Sequence, residues 1–133
     1  MYCGGYEIET EIAIRRILRR GDCFVDVGAN IGHFTAIAMS IVGRGGIVHA
    51  FEPVPECFDN IRRLKDMNPG YAVYAHPVAA GDREELAPIN VSRTSNRGWN
   101  TMVPGLMSNY EPQERLMVET NRLDDYLPSL GVS

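Results

Sequence analysis

The segment Asp26-Val27-Gly28-Ala29-Asn30-Ile31-Gly32 concentrates most of the ligand chemistry this sequence offers. Glycines at 28 and 32 let the backbone turn tightly and come close to a bound molecule. An apolar run that reads as a strand precedes the segment, and a helical pattern follows it. The free N–H groups at the helix start favour polar or anionic ligand atoms. Twenty-four residues past Gly28, Glu52 closes the next strand pattern. A carboxylate at that place can accept hydrogen bonds from both hydroxyls of a ribose.

The turn discriminates among nucleotides. A dinucleotide fingerprint beginning at Gly28 requires glycine at 30 and 33, and the sequence has Asn30 and His33. That disfavours nicotinamide and flavin dinucleotides. The phosphate loop of nucleotide triphosphatases needs Gly-Lys-Ser/Thr, and no lysine is near. Asp26 adds a negative charge at the strand end. It would repel a pyrophosphate but suits a ligand carrying an ammonium and a sulfonium, which points to S-adenosylmethionine. The plainer alternative is an ordinary strand–helix turn followed by a solvated glutamate.

Other reactive side chains are less informative. His33 reads as a first-turn helix residue, although it follows the glycine turn. His49 and His76 fall inside strand patterns and read as packed or partly exposed. Trp99, within Asn96-Arg97-Gly98-Trp99-Asn100-Thr101-Met102, fits a lid over a pocket or a loop anchor equally well. No residue stands out as a catalytic base. Cys3, Cys23 and Cys57 are an odd number without close pairing, which argues against a disulfide framework or a metal site. Cys23 and Cys57 read as small buried hydrophobes.

The elements that must position these groups follow from periodicity. Residues 7–20 read as a helix with Ile14, Ile17 and Leu18 on one face and Gly21 as its stop. Cys23-Phe24-Val25-Asp26-Val27 suggests a buried central strand. In residues 33–42, Phe34, Ile37, Ala38 and Ile41 recur at i, i+3, i+4, i+7, giving the clearest helix. Ile47-Val48-His49-Ala50-Phe51 is a second buried-type strand. Pro55 can occupy the first turn of a helix through about residue 67, with Cys57, Phe58, Ile61 and Leu64 inward. Tyr71 to Ala80 is a third strand candidate. This alternation predicts a doubly wound α/β fold with parallel strands at 23–27, 47–51 and 72–79, in spatial order 3-2-1. Leu86 to Arg93 and Leu116 to Thr120 also read as strands, separated by a polar stretch, residues 94–114.

Composition bounds the function classes. The 133 residues suit one domain, and 44% hydrophobic with 23% charged residues is ordinary for a globular chain. A net charge of −4 offers no basic footprint for nucleic acid. The basic cluster Arg15, Arg16, Arg19 and Arg20 reads as a solvated helix tail, opposite the acidic start at Glu7, Glu9 and Glu11. Phe34 to Val42 is too short to span a membrane, and the first residues lack signal-peptide character, so the expectation is a cytoplasmic protein without a membrane partner. Asn90-Val91-Ser92 matches a glycosylation sequon, which has no meaning in that compartment.

The segments Phe24 to Gly32 and Ala50-Phe51-Glu52-Pro53-Val54-Pro55 resemble the FkbM-type methyltransferase family. Ala79-Ala80-Gly81-Asp82, the stretch Thr120 to Tyr126 and the opening Tyr6-Glu7 are similar to it as well. The resemblance implies a Rossmann-like class I methyltransferase fold, S-adenosylmethionine as cofactor and methyl transfer to oxygen on small molecules or sugars. It implies that Asp26, Gly28, Ala29, Asn30 and Gly32 hold the methionine part, Glu52 the ribose, and that Val78 and Ala79 lie near the adenine. Asn121 and Arg122 sit where the family runs straight into Leu-Asp, which shifts the match there by a residue or two.

The family continues past its Leu-Asp-Asp-Tyr region into a further strand with a Lys-Ile-Asp-Val-Glu-Gly-like motif, whereas this sequence ends at Ser133. The expectation is a fold truncated before the fourth parallel strand. The outer edge of the first strand would then be exposed. The late strands or a second copy of the chain, as a homodimer, would have to cover it. Weak cofactor binding and no turnover are expected of such a chain. A nicotinamide-dependent oxidoreductase fragment and a non-catalytic fragment are the competing readings.

Overall fold

The computed structural model describes residues 5–92, 102 and 113–132. Helix α1 (Gly5–Ile17) is followed by the alternation β1 (Cys23–Val27), α2 (His33–Val42), β2 (Ile47–Phe51), α3 (Pro55–Asp66) and β3 (Ala72–His76). The three strands are parallel and lie in the order β1-β2-β3. Their register runs from Cys23, Ile47 and Ala72 at one end to Val27, Phe51 and His76 at the other. Both crossovers therefore step in the same direction and bring the ends of β1 and β2 side by side.

Strand alternation divides the side chains between two faces. Val48 and Val73 pack with Leu18, Ala38, Met39 and Val42, while Ala50 joins Ala29 and Ile61. Helices α2 and α3 cover this face. Each of the larger side chains here, the valines, Leu18, Met39 and Ile61, contributes roughly 1.5–3 kcal/mol when fully buried. The other face carries His49, Phe51 and His76. Tyr126 of a short helix, α4 (Leu123–Ser129), meets Phe51 and His76 edge-on at 5.6 Å.

A second sheet follows, built from β4 (Ala79–Ala80), β5 (Glu85–Ser92) and β6 (Gln113–Asn121) in the order β4-β6-β5. Strands β5 and β6 are antiparallel, from Glu85 opposite Thr120 to Ser92 opposite Gln113, and β4 runs parallel to β6. Ala79, Ile89 and Val118 pack on Val54 and Cys57 at the start of α3. The two short motifs Ala79-Ala80-Gly81 and Thr120-Asn121 meet here: Ala79 lies opposite Thr120, and the Gly81 N–H donates to the Asn121 carbonyl at 2.9 Å.

Several expectations are corrected. The apolar stretch 71–80 is not one strand: it leaves the first sheet after His76 and joins the second at Ala79. Pro77 has no N–H to donate to a ladder, which ends the first pairing. Strand β1 is not central, because among the described residues nothing pairs with its outer edge; β2 is the middle strand. Cys23 and half of Val27 are consequently exposed. The late strands pair with each other and leave that edge uncovered. Helix α1 begins at Gly5, taking in Tyr6 and Glu7, and stops at Ile17 rather than residue 20. The Asp22 carboxylate captures the Arg19 N–H at 2.8 Å and the Arg19 guanidinium donates to the Arg16 carbonyl at 2.6 Å, so the chain turns there. Ile17, expected inward, is 77% exposed. Trp99 and Cys3 lie outside the described residues.

Candidate functional site

The C-terminal ends of β1 and β2 and the turns that leave them form one hydrogen-bonded unit. Gly28 and Gly32 adopt φ of +74° and +87°, left-handed values that L side chains resist. Asn30, between them, has φ +52°, a conformation asparagine tolerates better than most residues. The turn is docked onto β2: the N–H groups of Gly28 and Ala29 both donate to the Phe51 carbonyl, at 2.9 and 3.0 Å.

Glu52 continues this docking with its side chain. It is 5% exposed. Its Oε2 accepts the Asn30 N–H and its Oε1 the Val54 N–H, each at 2.8 Å. Burial pushes the Glu52 carboxyl up from the ordinary range, and the two backbone donors oppose that shift. The nearby charge of Asp26 adds to the upward push. Each Glu52 oxygen keeps acceptor capacity beyond its one backbone partner.

Asp26 is brought into the same cluster, but its carboxylate is turned toward α2. Thr35 donates to Asp26 through its hydroxyl at 2.6 Å and also through its backbone N–H. Thr35 is the third residue of α2, so Asp26 satisfies one of the donors left open at that helix start. Burial raises the Asp26 carboxyl, against the pull of both Thr35 donors. Asp26 thus ties the end of β1 to the helix that follows the turn.

The remaining expected residues are placed as follows. Gly28 faces open space: a Cβ added there meets nothing within 4 Å. A Cβ on Gly32 would touch Ile61 Cγ1 at 3.5 Å and Leu64 Cδ2 at 3.7 Å, so this glycine seats the turn on α3. Ala29 is buried against Ala50 and Ile61. Val78 and Ala79 are buried just beyond β3, with Ala79 on Val54 and Cys57. The Glu52 N–H donates to the His76 carbonyl at 3.0 Å, linking the end of β2 to β3. His33 opens α2 and lies 3.8 Å from Glu11 of α1, half-exposed.

Three groups here escaped the sequence reading. Thr35 is one, and its signal was available: a hydroxyl in the first turn of a mainly apolar helix, nine residues after Asp26. Cys57 is another. Read only as packing, it donates its thiol hydrogen to Asn30 Oδ1 at 3.3 Å. The third is the pair His49 Nδ1 and His76 Nε2, 3.0 Å apart and buried, whose adjacency depends on strand register.

The arrangement can accept the two hydroxyls of a ribose at Glu52 and leaves room for a ligand at the adjoining turn. An open, side-chain-free surface at Gly28 sits beside a buried carboxylate with acceptor capacity left, at the end of the neighbouring strand. The dinucleotide alternative requires close backbone approach at position 30. There the Asn30 side chain stands, held by Cys57.

Comparison with known proteins agrees with this scaffold. Among the described residues, no helix is long and apolar enough to cross a membrane. No curated protein matches the chain. The chain is similar to the solved structure of a "putative rRNA-methylase" from Clostridium thermocellum, at 24% identity and a TM-score of 0.52. That match covers 59% of this chain and 45% of the other, so this chain spans less than half that protein's length, and the likeness speaks to the fold alone. A family model described as the methyltransferase FkbM domain matches residues 26–132, taking in the glycine turn, Glu52 and the second sheet. The chain belongs to the FkbM methyltransferase domain family.

Proposed function

We propose that this chain binds S-adenosylmethionine and serves methyl transfer to an oxygen of a small molecule or sugar. The observation that carries the reading is the Glu52 carboxylate, bonded to the glycine turn beside the open surface at Gly28. Family membership supports methyl transfer as the reaction class. The net charge of −4 favours a small acceptor over nucleic acid.

In this reading Glu52 accepts the ribose hydroxyls with the lone pairs left by Asn30 and Val54. Gly28 gives the methionine part close access to the backbone. Asp26 keeps α2 in place through Thr35, and Val78 and Ala79 offer an apolar margin for the adenine. When bound, S-adenosylmethionine supplies a methyl group on a positively charged sulfur. The chain's own share of catalysis is then alignment and exclusion of water.

Isothermal titration of the chain with S-adenosylhomocysteine and, separately, NADH tests this. Binding of S-adenosylhomocysteine but not NADH is expected. Binding of NADH alone would establish the oxidoreductase reading instead.

A further inference from the structure

The glycine turn is held from β2–α3 at two points, and only one of them is the carboxylate. Glu52 takes the Asn30 backbone N–H. Cys57, five residues further on and third in α3, takes the Asn30 side-chain carbonyl at 3.3 Å. Asn30 is also the one non-glycine residue with positive φ among those described. A residue in that conformation depends on its surroundings to stay there.

Cys57 is suited to this contact by its environment. It is 2% exposed and packs in the apolar cluster of Val54, Ala79, Ile89 and Val118. A thiol is apolar enough to fill that cluster and still carries one weak hydrogen-bond donor. That donor reaches the side-chain oxygen of Asn30 in the turn. Cys57 therefore stands where the second sheet, the start of α3 and the glycine turn meet.

We propose that Cys57 is a positioning residue for the cofactor turn, fixing the Asn30 carboxamide and with it the turn geometry that receives S-adenosylmethionine. The proposal rests on the cofactor reading above. The thiol bond holds the Asn30 side-chain oxygen toward the start of α3. Losing the thiol hydrogen removes this bond from the turn, and restoring the receiving geometry on binding then costs affinity.

A double-mutant cycle tests this on the full chain, with S-adenosylhomocysteine as the titrant. Cys57→Ala should weaken its affinity about threefold to tenfold. Cys57→Ser, which restores a donor, should recover most of that loss. Asn30→Gly keeps the left-handed conformation but removes the carboxamide. In that background Cys57→Ala should change affinity less than twofold, by the cycle's own logic. Urea unfolding of each variant separates folding from binding. The side-chain amide signals of Asn30 in the free protein give a readout that packing alone would not move: they should shift in Cys57→Ala and not in Cys57→Ser. If the wild type binds and Cys57→Ala binds as tightly, or weakens equally in both backgrounds, the proposal is overturned while the cofactor reading stands. If the folded wild type binds nothing, both are overturned.

Discussion

Replacing Glu52 by glutamine tests the carboxylate's structural role in isolation. The two side chains are nearly the same size, so the change is one of hydrogen bonding and charge. In the wild type the two oxygens accept two backbone N–H groups, from Asn30 and Val54, at 2.8 Å each. Glutamine has one acceptor oxygen, so one buried N–H must face an amino group instead. A hydrogen bond to a charged acceptor contributes about 1.5–3 kcal/mol, and an unsatisfied buried donor costs about 1–3 kcal/mol. Against that, glutamine removes a charge that burial and Asp26 both disfavour. The expected net loss is about 1–3 kcal/mol of folding stability at neutral pH. Glu52→Ala, which abandons both donors, should lose more. Equilibrium urea unfolding followed by circular dichroism measures this, with unchanged slopes as the check on comparable states. A Glu52→Gln variant within about 0.5 kcal/mol of wild type would refute the assignment of Glu52 as the clamp of the turn.

Other predictions follow from the same geometry. Thr35→Val should cost about 1.5–3 kcal/mol in urea unfolding, since it removes a buried 2.6 Å bond to the Asp26 carboxylate, and Thr35→Ser should retain most of it. Gly28→Ala should cost about 1–2 kcal/mol for its left-handed φ, although its Cβ meets no protein atom within 4 Å. The same variant should weaken S-adenosylhomocysteine more than tenfold in calorimetry, a loss the φ strain alone does not predict. Burial, then its neighbour His49, lowers His76 from 6.5 to about 4. The unfolded chain therefore binds a proton between those pH values that the folded chain refuses. Stability from this group is present above pH 6.5 and lost as pH falls toward 4, by at most about 3 kcal/mol. The raised carboxyls of Asp26 and Glu52 act in the opposite sense, so the difference between wild type and His76→Gln across that window is the readout. Identical pH dependence in the two would refute it.

Much of this was legible in the sequence because local pattern carried it. Residues 23–27, 33–42 and 47–51 have the predicted bounds, since glycine turns or short polar stretches bracket each apolar run. The glycine turn and Glu52 were legible for the same reason: their meaning lies in which element each one ends. What was not legible depends on contacts between distant elements. The expected order 3-2-1 holds, but Cys23, read as buried from its apolar run, lies on the outer edge of β1 and is exposed. The stretch 71–80 is largely apolar, and only Pro77 signals that it serves two sheets. The bond from Thr35 to Asp26 joins the end of β1 to the helix that follows the turn, and it forms only once α2 packs on that strand. The contact of Cys57 with Asn30 spans 27 residues and exists only once α3 docks beside the turn.

In the proposed function the glycine turn and Glu52 together receive S-adenosylmethionine. Amide NMR of the chain, titrated with S-adenosylhomocysteine, tests it most directly. Saturable shifts are expected at Gly28, Ala29, Asn30 and Glu52, extending to Val78 and Ala79, with the paired residues of β5 and β6 from Leu86 to Ile89 and from Leu116 to Glu119 largely unmoved. Shifts confined to other residues, or none in a folded sample at saturating ligand, would contradict it.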